Sequence, residues 1–411
     1  MTSMASQKLD TALAAELEQL TREGRAKAPE RVISGYIPAR DTFGPRYLLE
    51  GTTQEFLRMN SNSYLSLSHH PRVIAAADTA TRNFGVGPGA VRFIDGTYSH
   101  HKQLEDRIAA FTNKESAKIF NSAYTSNCGL ALTIGNKKTH WIGDQLNHNS
   151  IIRAMRIAGV PRENKGIFKH NDMEDLRRCL EEVAPGIERV VIIFDGVYSM
   201  RGDIAPIDSI AAIAQEYEAF FKDGVITVVD DSHGIGAYGE TGRGTSEFCN
   251  ADVDILVGTF GKAFGVNGGF IAAGTTVIEA VRQKADTYIY TNPLSVADCA
   301  AATEAIDICD SDEGTALLVH LDKRKQQFRE GLATLGLETI AGPHPVIPVM
   351  VRSTPTTHAM VQGLFDNGVL VVGLLFPVVP KGDESIRFQI NAAHQEADVD
   401  LVLSLLKRMQ P

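Results

Sequence analysis

The chain has 411 residues, 44% hydrophobic and 22% charged, the make-up of a globular protein with room for one large domain and one smaller one. A formal net charge of −10 with scattered Lys and Arg offers no basic face for phosphate backbones, so a nucleic-acid partner is not expected. Residues 1–8 lack the apolar core of a signal peptide, and the longest apolar run, 369–380, is short and broken by Pro, so the reading is a cytoplasmic protein without a membrane span.

In chain order, residues 8–27 place Leu9, Leu13, Leu17 and Leu20 on one face of a 3.6-residue period, which predicts an amphipathic helix. That stripe must be buried either on its own domain or on a second subunit. Polar, Pro-containing sequence follows to about residue 50, then a strand at 56–59 and a turn at 60–65. From residue 117 the runs AKIF, THWI, GIFK, RVVIIF and VITVVD, followed by the apolar stretch 254–258, alternate with helix-length segments. Such alternation predicts crossover units and an α/β fold with a mostly parallel sheet covered on both faces. After residue 300 a helix-rich stretch with short strands at 347–351, 369–372 and 385–390 predicts a small α+β domain. The expected division is an N-terminal helix and arm (1–59), a large cofactor-binding domain (60–299) and a small C-terminal domain (300–411). Five cysteines, an odd count without CxxC spacing, predict neither a zinc site nor a disulfide framework; no metal is expected.

Two residues carry the chemistry. The β-branched run 226–229 ends in Asp230, delivered to the carboxyl edge of the sheet, where open α/β sheets bind ligands. The next run ends in Thr259-Phe-Gly-Lys262, which brings a lysine to the same edge on a Gly-rich turn. A carboxylate and a lysine facing one pocket suit pyridoxal 5′-phosphate: the lysine condenses with the aldehyde and later moves protons at the substrate Cα, while the buried carboxylate keeps the pyridine nitrogen protonated. Ser122-Ala123-Tyr124 stands where a strand turns into a helix, so its amides suit a phosphate or simply begin a capped helix. His148 lies just past the THWI strand, and His233 just past Asp230. Arg387, within an apolar strand, must face a carboxylate, either that of an amino-acid substrate or that of Asp383 or Glu384.

The ordered motifs NSYLSL from Asn62, GVGPGAVRFIDGT from Gly85, His101 with Leu104-Glu105, DQLNHNS from Asp144 and DGVYSMRGD from Asp195 together resemble the α-oxoamine synthases, from about Asn60 to the C-terminus. These pyridoxal-phosphate enzymes condense an amino acid with an acyl-CoA. The resemblance implies a fold-type-I, aspartate aminotransferase-like homodimer with shared active sites. It implies that His148 stacks on the cofactor ring, that Ser199 and His233 reach its phenolic oxygen, and that Thr259 joins Ser122, Ala123 and Tyr124 at the phosphate. It also implies that Thr291 and Asn292 reach the phosphate of the neighbouring subunit, although Thr291 suits equally an N-terminal cap for the helix that follows, and that Asn62, Ser199 and Arg387 hold the amino-acid carboxylate. The stretches 373–382 and 386–394 resemble the acetyl-transferring branch, glycine C-acetyltransferase (2-amino-3-oxobutyrate CoA ligase), so glycine and acetyl-CoA are the expected substrates. Phe264, Val266, Asn267 and Pro88-Gly89 depart from that branch and are expected on the acyl side, leaving a longer acyl-CoA, or alanine or serine, as alternatives. An aminotransferase shares Asp230 and Lys262 without needing the DQLNHNS segment, and a silent partner subunit would need neither residue.

Overall fold

A computed structural model describes residues 4–376 and 378–410; Pro377, inside the 373–382 motif, lies outside the described residues. The strands are β1 Ile33–Ile37, β2 Arg46–Leu49, β3 Glu55–Arg58, β4 Ser116–Phe120, β5 Thr139–Asp144, β6 Lys165–Phe168 and β7 Arg189–Asp195. They continue with β8 Val225–Asp230, β9 Ile255–Thr259, β10 Gly269–Ala273, β11 Val346–Met350, β12 Val369–Leu370, β13 Val372–Leu374 and β14 Ser385–Gln389.

The central sheet has the order β4-β10-β9-β8-β7-β5-β6. Its β5, β6, β7, β8 and β9 pairings are parallel, as the alternating pattern predicts. Strand β10 was not expected. It runs antiparallel between β9 and β4, made possible because antiparallel neighbours need only a short turn, and that turn, 260–268, carries Lys262. Both faces of the sheet are dry, which is why its strands read as unbroken apolar runs. Val190, Ile192 and Phe194 of β7 pack with Val229, Leu256 and Phe270 on one side, whereas Val191 and Ile193 pack with Trp141, Val228, Val257 and Ile271 on the other. Each such buried side chain contributes roughly 1.5–3 kcal/mol relative to exposure, so the register of these strands, and with it the position of the residues at their ends, is strongly fixed. Asp195 stands beside Asp230, and Asp230 beside Val257.

The N-terminal helix spans Met4–Arg22 and buries no residue in its own chain. Leu9, Leu13 and Leu17 are 58%, 45% and 62% exposed and Leu20 is half-buried, so the described residues of this chain do not cover the stripe. The polar, Pro-containing segment up to residue 50, given no element from sequence, contains β1 and β2, which join β3 and the C-terminal β12 in a four-stranded sheet. The parallel β3–β12 pairing fastens the arm to the C-terminal part of the chain. A third sheet, β11-β14-β13, holds Arg387 at its centre, opposite Pro348 and Val372.

Candidate active site

Strand β8 ends in a carboxylate that is almost fully buried yet well supplied with donors. Asp230 accepts from Asn127 Nδ2 at 2.7 Å and from the Ser232 amide at 3.1 Å. Asn127 belongs to the helix Ala123–Ile134, whose N-terminus faces the same space. Lys262, on the turn between β9 and β10, is half-buried; desolvation lowers its pKa to about 8, against the pull of Asp230 and Asp195, which favours the charged form. Gly265 makes this turn possible: its φ is +71°, and a Cβ there would run into the backbone of Ser68. Lys262, Asp230, Ala123, Tyr124, His148, Asp195, Ser199, His233 and Thr259 all line one cavity of about 180 Å³.

His148 begins the helix Asn149–Ile157, where its Nδ1 meets the Ser150 hydroxyl at 2.8 Å and its amide donates to Asp195 Oδ2 at 2.6 Å. Burial lowers its pKa, so the ring facing the cavity is neutral. Asp195 is pushed well above the usual carboxylate range by burial and by Asp230 beside it. His233 is likewise held neutral, by burial and then by Lys262. Arg387 sits just beyond, donating to the Ser199 carbonyl at 2.9 Å, with its Nε buried and, among the described residues, without a partner. The alternative pairing with Asp383 or Glu384 is not formed. Asp383 lies nearest Arg352, at 3.7 Å, and Glu384 accepts from the Thr354 hydroxyl and the Gly382 amide.

Other expected residues fall around this centre. Ser122 caps the helix, its hydroxyl accepting from the Thr125 amide at 3.1 Å, so its neighbours Ala123 and Tyr124, not Ser122 itself, line the cavity. Both amides belong to the first helical turn, which lacks intrahelical acceptors. Thr259 donates to the Gly268 carbonyl at 2.9 Å and faces the cavity. Asn62 lies in an adjoining polar groove of about 640 Å³ that shares Lys262, and it accepts from Gln389. Val266 and Asn267 line that groove, whereas Phe264 does not: it is fully buried against Phe111 and Phe260. Thr291 and Asn292 do not line their own chain's cavity. Asn121, just before the Ser122 cap, donates from Nδ2 to the Thr291 hydroxyl at 3.2 Å and to the Asn292 carbonyl at 3.0 Å. Asn127, Asp195 and Tyr64 were not singled out from sequence, although Asp195 ends an apolar strand just as Asp230 does.

The site fits pyridoxal phosphate on its own geometry. It joins a half-buried lysine of lowered pKa, a buried carboxylate and the open amides of a helix N-terminus, against which the start of β10 presses so closely that a Cβ on Gly269 would strike Ser122 and Ala123. Fold and site together define a fold-type-I pyridoxal-phosphate enzyme. The family model for aminotransferase class I and II matches residues 54–406. An 8-amino-7-oxononanoate synthase of Thermoanaerobacter pseudethanolicus is 37% identical over 89% of this chain and 90% of its own length. A 2-amino-3-ketobutyrate coenzyme A ligase of Escherichia coli K12 is 35% identical over 96% of this chain and 95% of its own. The structure of serine palmitoyltransferase from Sphingomonas wittichii superposes with a TM-score of 0.86 at 28% identity, covering 99% of this chain and 98% of that one. The chain belongs to the α-oxoamine synthase family, and its cofactor is pyridoxal phosphate.

Proposed function

We propose that this protein condenses a small α-amino acid, glycine first among them, with a short acyl-CoA, acetyl-CoA first, and releases free CoA. Arg387 carries the reading: a largely buried guanidinium beside the reactive lysine, bonded to one carbonyl and, among the described residues, lacking a carboxylate, is costly unless a substrate supplies one. Its planar fork suits the amino-acid carboxylate, with Asn62 and Ser199 nearby. Lys262 Nζ, neutral above about pH 8, removes the Cα proton. The bound cofactor supplies the electron sink for the pair left on Cα. That carbon attacks the thioester carbonyl; the new C–C bond forms, the C–S bond breaks, and the thiolate takes a proton to leave as free CoA. Arg387 fixes the amino acid so that the Cα–H bond stands toward Lys262, an orientation effect.

The 373–382 and 386–394 stretches and the ligase relative support glycine and a short acyl chain. A longer acyl group, or alanine, is the second reading, favoured by relatives named 8-amino-7-oxononanoate synthase and by the acyl-side departures Val266 and Asn267 in the groove. Thiol release measured over a matrix of amino acids and acyl-CoAs separates the two. The highest kcat/KM with glycine and acetyl-CoA supports the first reading, and a preference for longer chains or alanine replaces it with the second.

We also propose that the working form is a homodimer in which Thr291 and Asn292 serve the partner's phosphate site. Their place outside their own chain's cavity, bonded to Asn121 beside the helix cap, and the exposed leucine stripe support this.

A further inference from the structure

His233 faces the cavity, and its ring nitrogens are not equivalent. Nδ1 lies 2.7 Å from the Tyr64 hydroxyl, while Nε2 has no hydrogen-bond partner among the described residues. Tyr64 is itself fully buried, its ring edge-on to His344 with centroids 5.1 Å apart. His344 donates from Nε2 to the His233 carbonyl at 2.9 Å, so backbone and phenol hold the imidazole from two sides. A neutral imidazole carries one N–H, and the partner of one nitrogen decides which nitrogen has it. The phenol is the stronger donor of the pair, and His233 Nδ1 is the one acceptor its hydroxyl meets among the described residues, so its single proton goes to that nitrogen.

We propose that Tyr64 is a positioning residue: by donating to Nδ1 it fixes His233 in the Nε2–H tautomer, so that the cavity is offered a hydrogen-bond donor for an anionic ring oxygen. The inference rests on the cofactor reading above. Residues facing His233 and able to alter its charge are Lys262, His344, Arg387 and His148, and all except His344 belong to the site already described.

The test uses the cofactor-loaded protein labelled with ¹⁵N, its His233 signals assigned by their loss in His233→Asn. The parent is expected to show a bare Nδ1 and a protonated Nε2. In Tyr64→Phe, which keeps the ring and removes the hydroxyl, the two nitrogens are expected to average. The visible spectrum of the bound cofactor should change its pH dependence, and kcat should fall about 3- to 10-fold, the scale of one hydrogen bond. Unchanged ¹⁵N shifts in Tyr64→Phe, or a protonated Nδ1 in the parent, overturn the proposal. Should the variant fold poorly, the parent's own nitrogen pattern decides. A parent that binds no pyridoxal phosphate sinks the cofactor reading instead, and the ¹⁵N pattern of the chain as purified still answers the question about Tyr64.

Discussion

Arg387 and Lys262 are the residues on which substrate and cofactor separate. Replacing Arg387 with Lys leaves a point charge where a planar fork stood, so amino-acid affinity should fall by on the order of 2–5 kcal/mol while cofactor binding stays normal. Titrating glycine against the visible spectrum measures this; an unchanged glycine affinity would return Arg387 to a structural role. Lys262 should be the residue that borohydride links to the cofactor, seen as a mass increment on its peptide. Because only the neutral amine attacks the aldehyde, the rate of cofactor uptake should rise as pH passes through about 8, not through the ordinary lysine range near 10.5. A rate still climbing steeply toward pH 10 would contradict the lowered value. Asp230 and Lys262 were legible in the sequence because the first ends a β-branched run and the second follows an apolar one on a Gly-rich turn, and such runs lead to the sheet edge. Asn127, Tyr64 and Gln389 were not, since their importance comes from contacts across long chain separations that no local pattern encodes.

Among the elements, the loop between β7 and the helix Ile207–Tyr217 delivers Ser199, and it is held from below by His170. That imidazole lies 3.1 Å from both Asp144 and Asp203, and Arg201 reaches Asp203 at 2.8 Å. Burial pulls His170 down, but the two carboxylates outweigh it and raise its pKa to about 9. A group raised in the folded state stabilises fully below its unfolded pKa, about 6.5, and loses that contribution as pH rises through the folded value. The melting-temperature gap between parent and His170→Ala should therefore be widest near pH 6 and close toward pH 9 and above. A gap independent of pH would mean that the ring acts by packing alone. The parallel strands were visible in the sequence as apolar runs, whereas β1 and β2 were missed because their half-exposed residues alternate with polar ones between prolines and turns. Strand β10 was missed for a different reason: it is a short, Gly- and Ala-rich return strand whose identity depends on its neighbours β4 and β9.

At the scale of the whole molecule, the proposed homodimer rests on the exposed Leu9, Leu13 and Leu17 and on Thr291 and Asn292 lying outside their own chain's cavity. Replacing the three leucines with Glu should lower the mass in light scattering from two chains toward one, and an unchanged mass would place the helix outside the interface. Mixing Lys262→Ala chains with Thr291→Ala/Asn292→Ala chains should restore one loaded site per heterodimer, whereas strict additivity would mean sites built from single chains. Among the described residues, no helix is long and apolar enough to cross a membrane. The central claim is that amino acid and thioester meet over Lys262, and one reaction tests it: glycine, acetyl-CoA and the loaded protein, with free thiol and products followed together. The account predicts glycine-dependent thiol release matched by an amino-oxo condensation product, both lost in Lys262→Ala. Conversion of an amino acid to its 2-oxo acid, with no thiol released from any acyl-CoA tried, would contradict it and mark the protein as an aminotransferase.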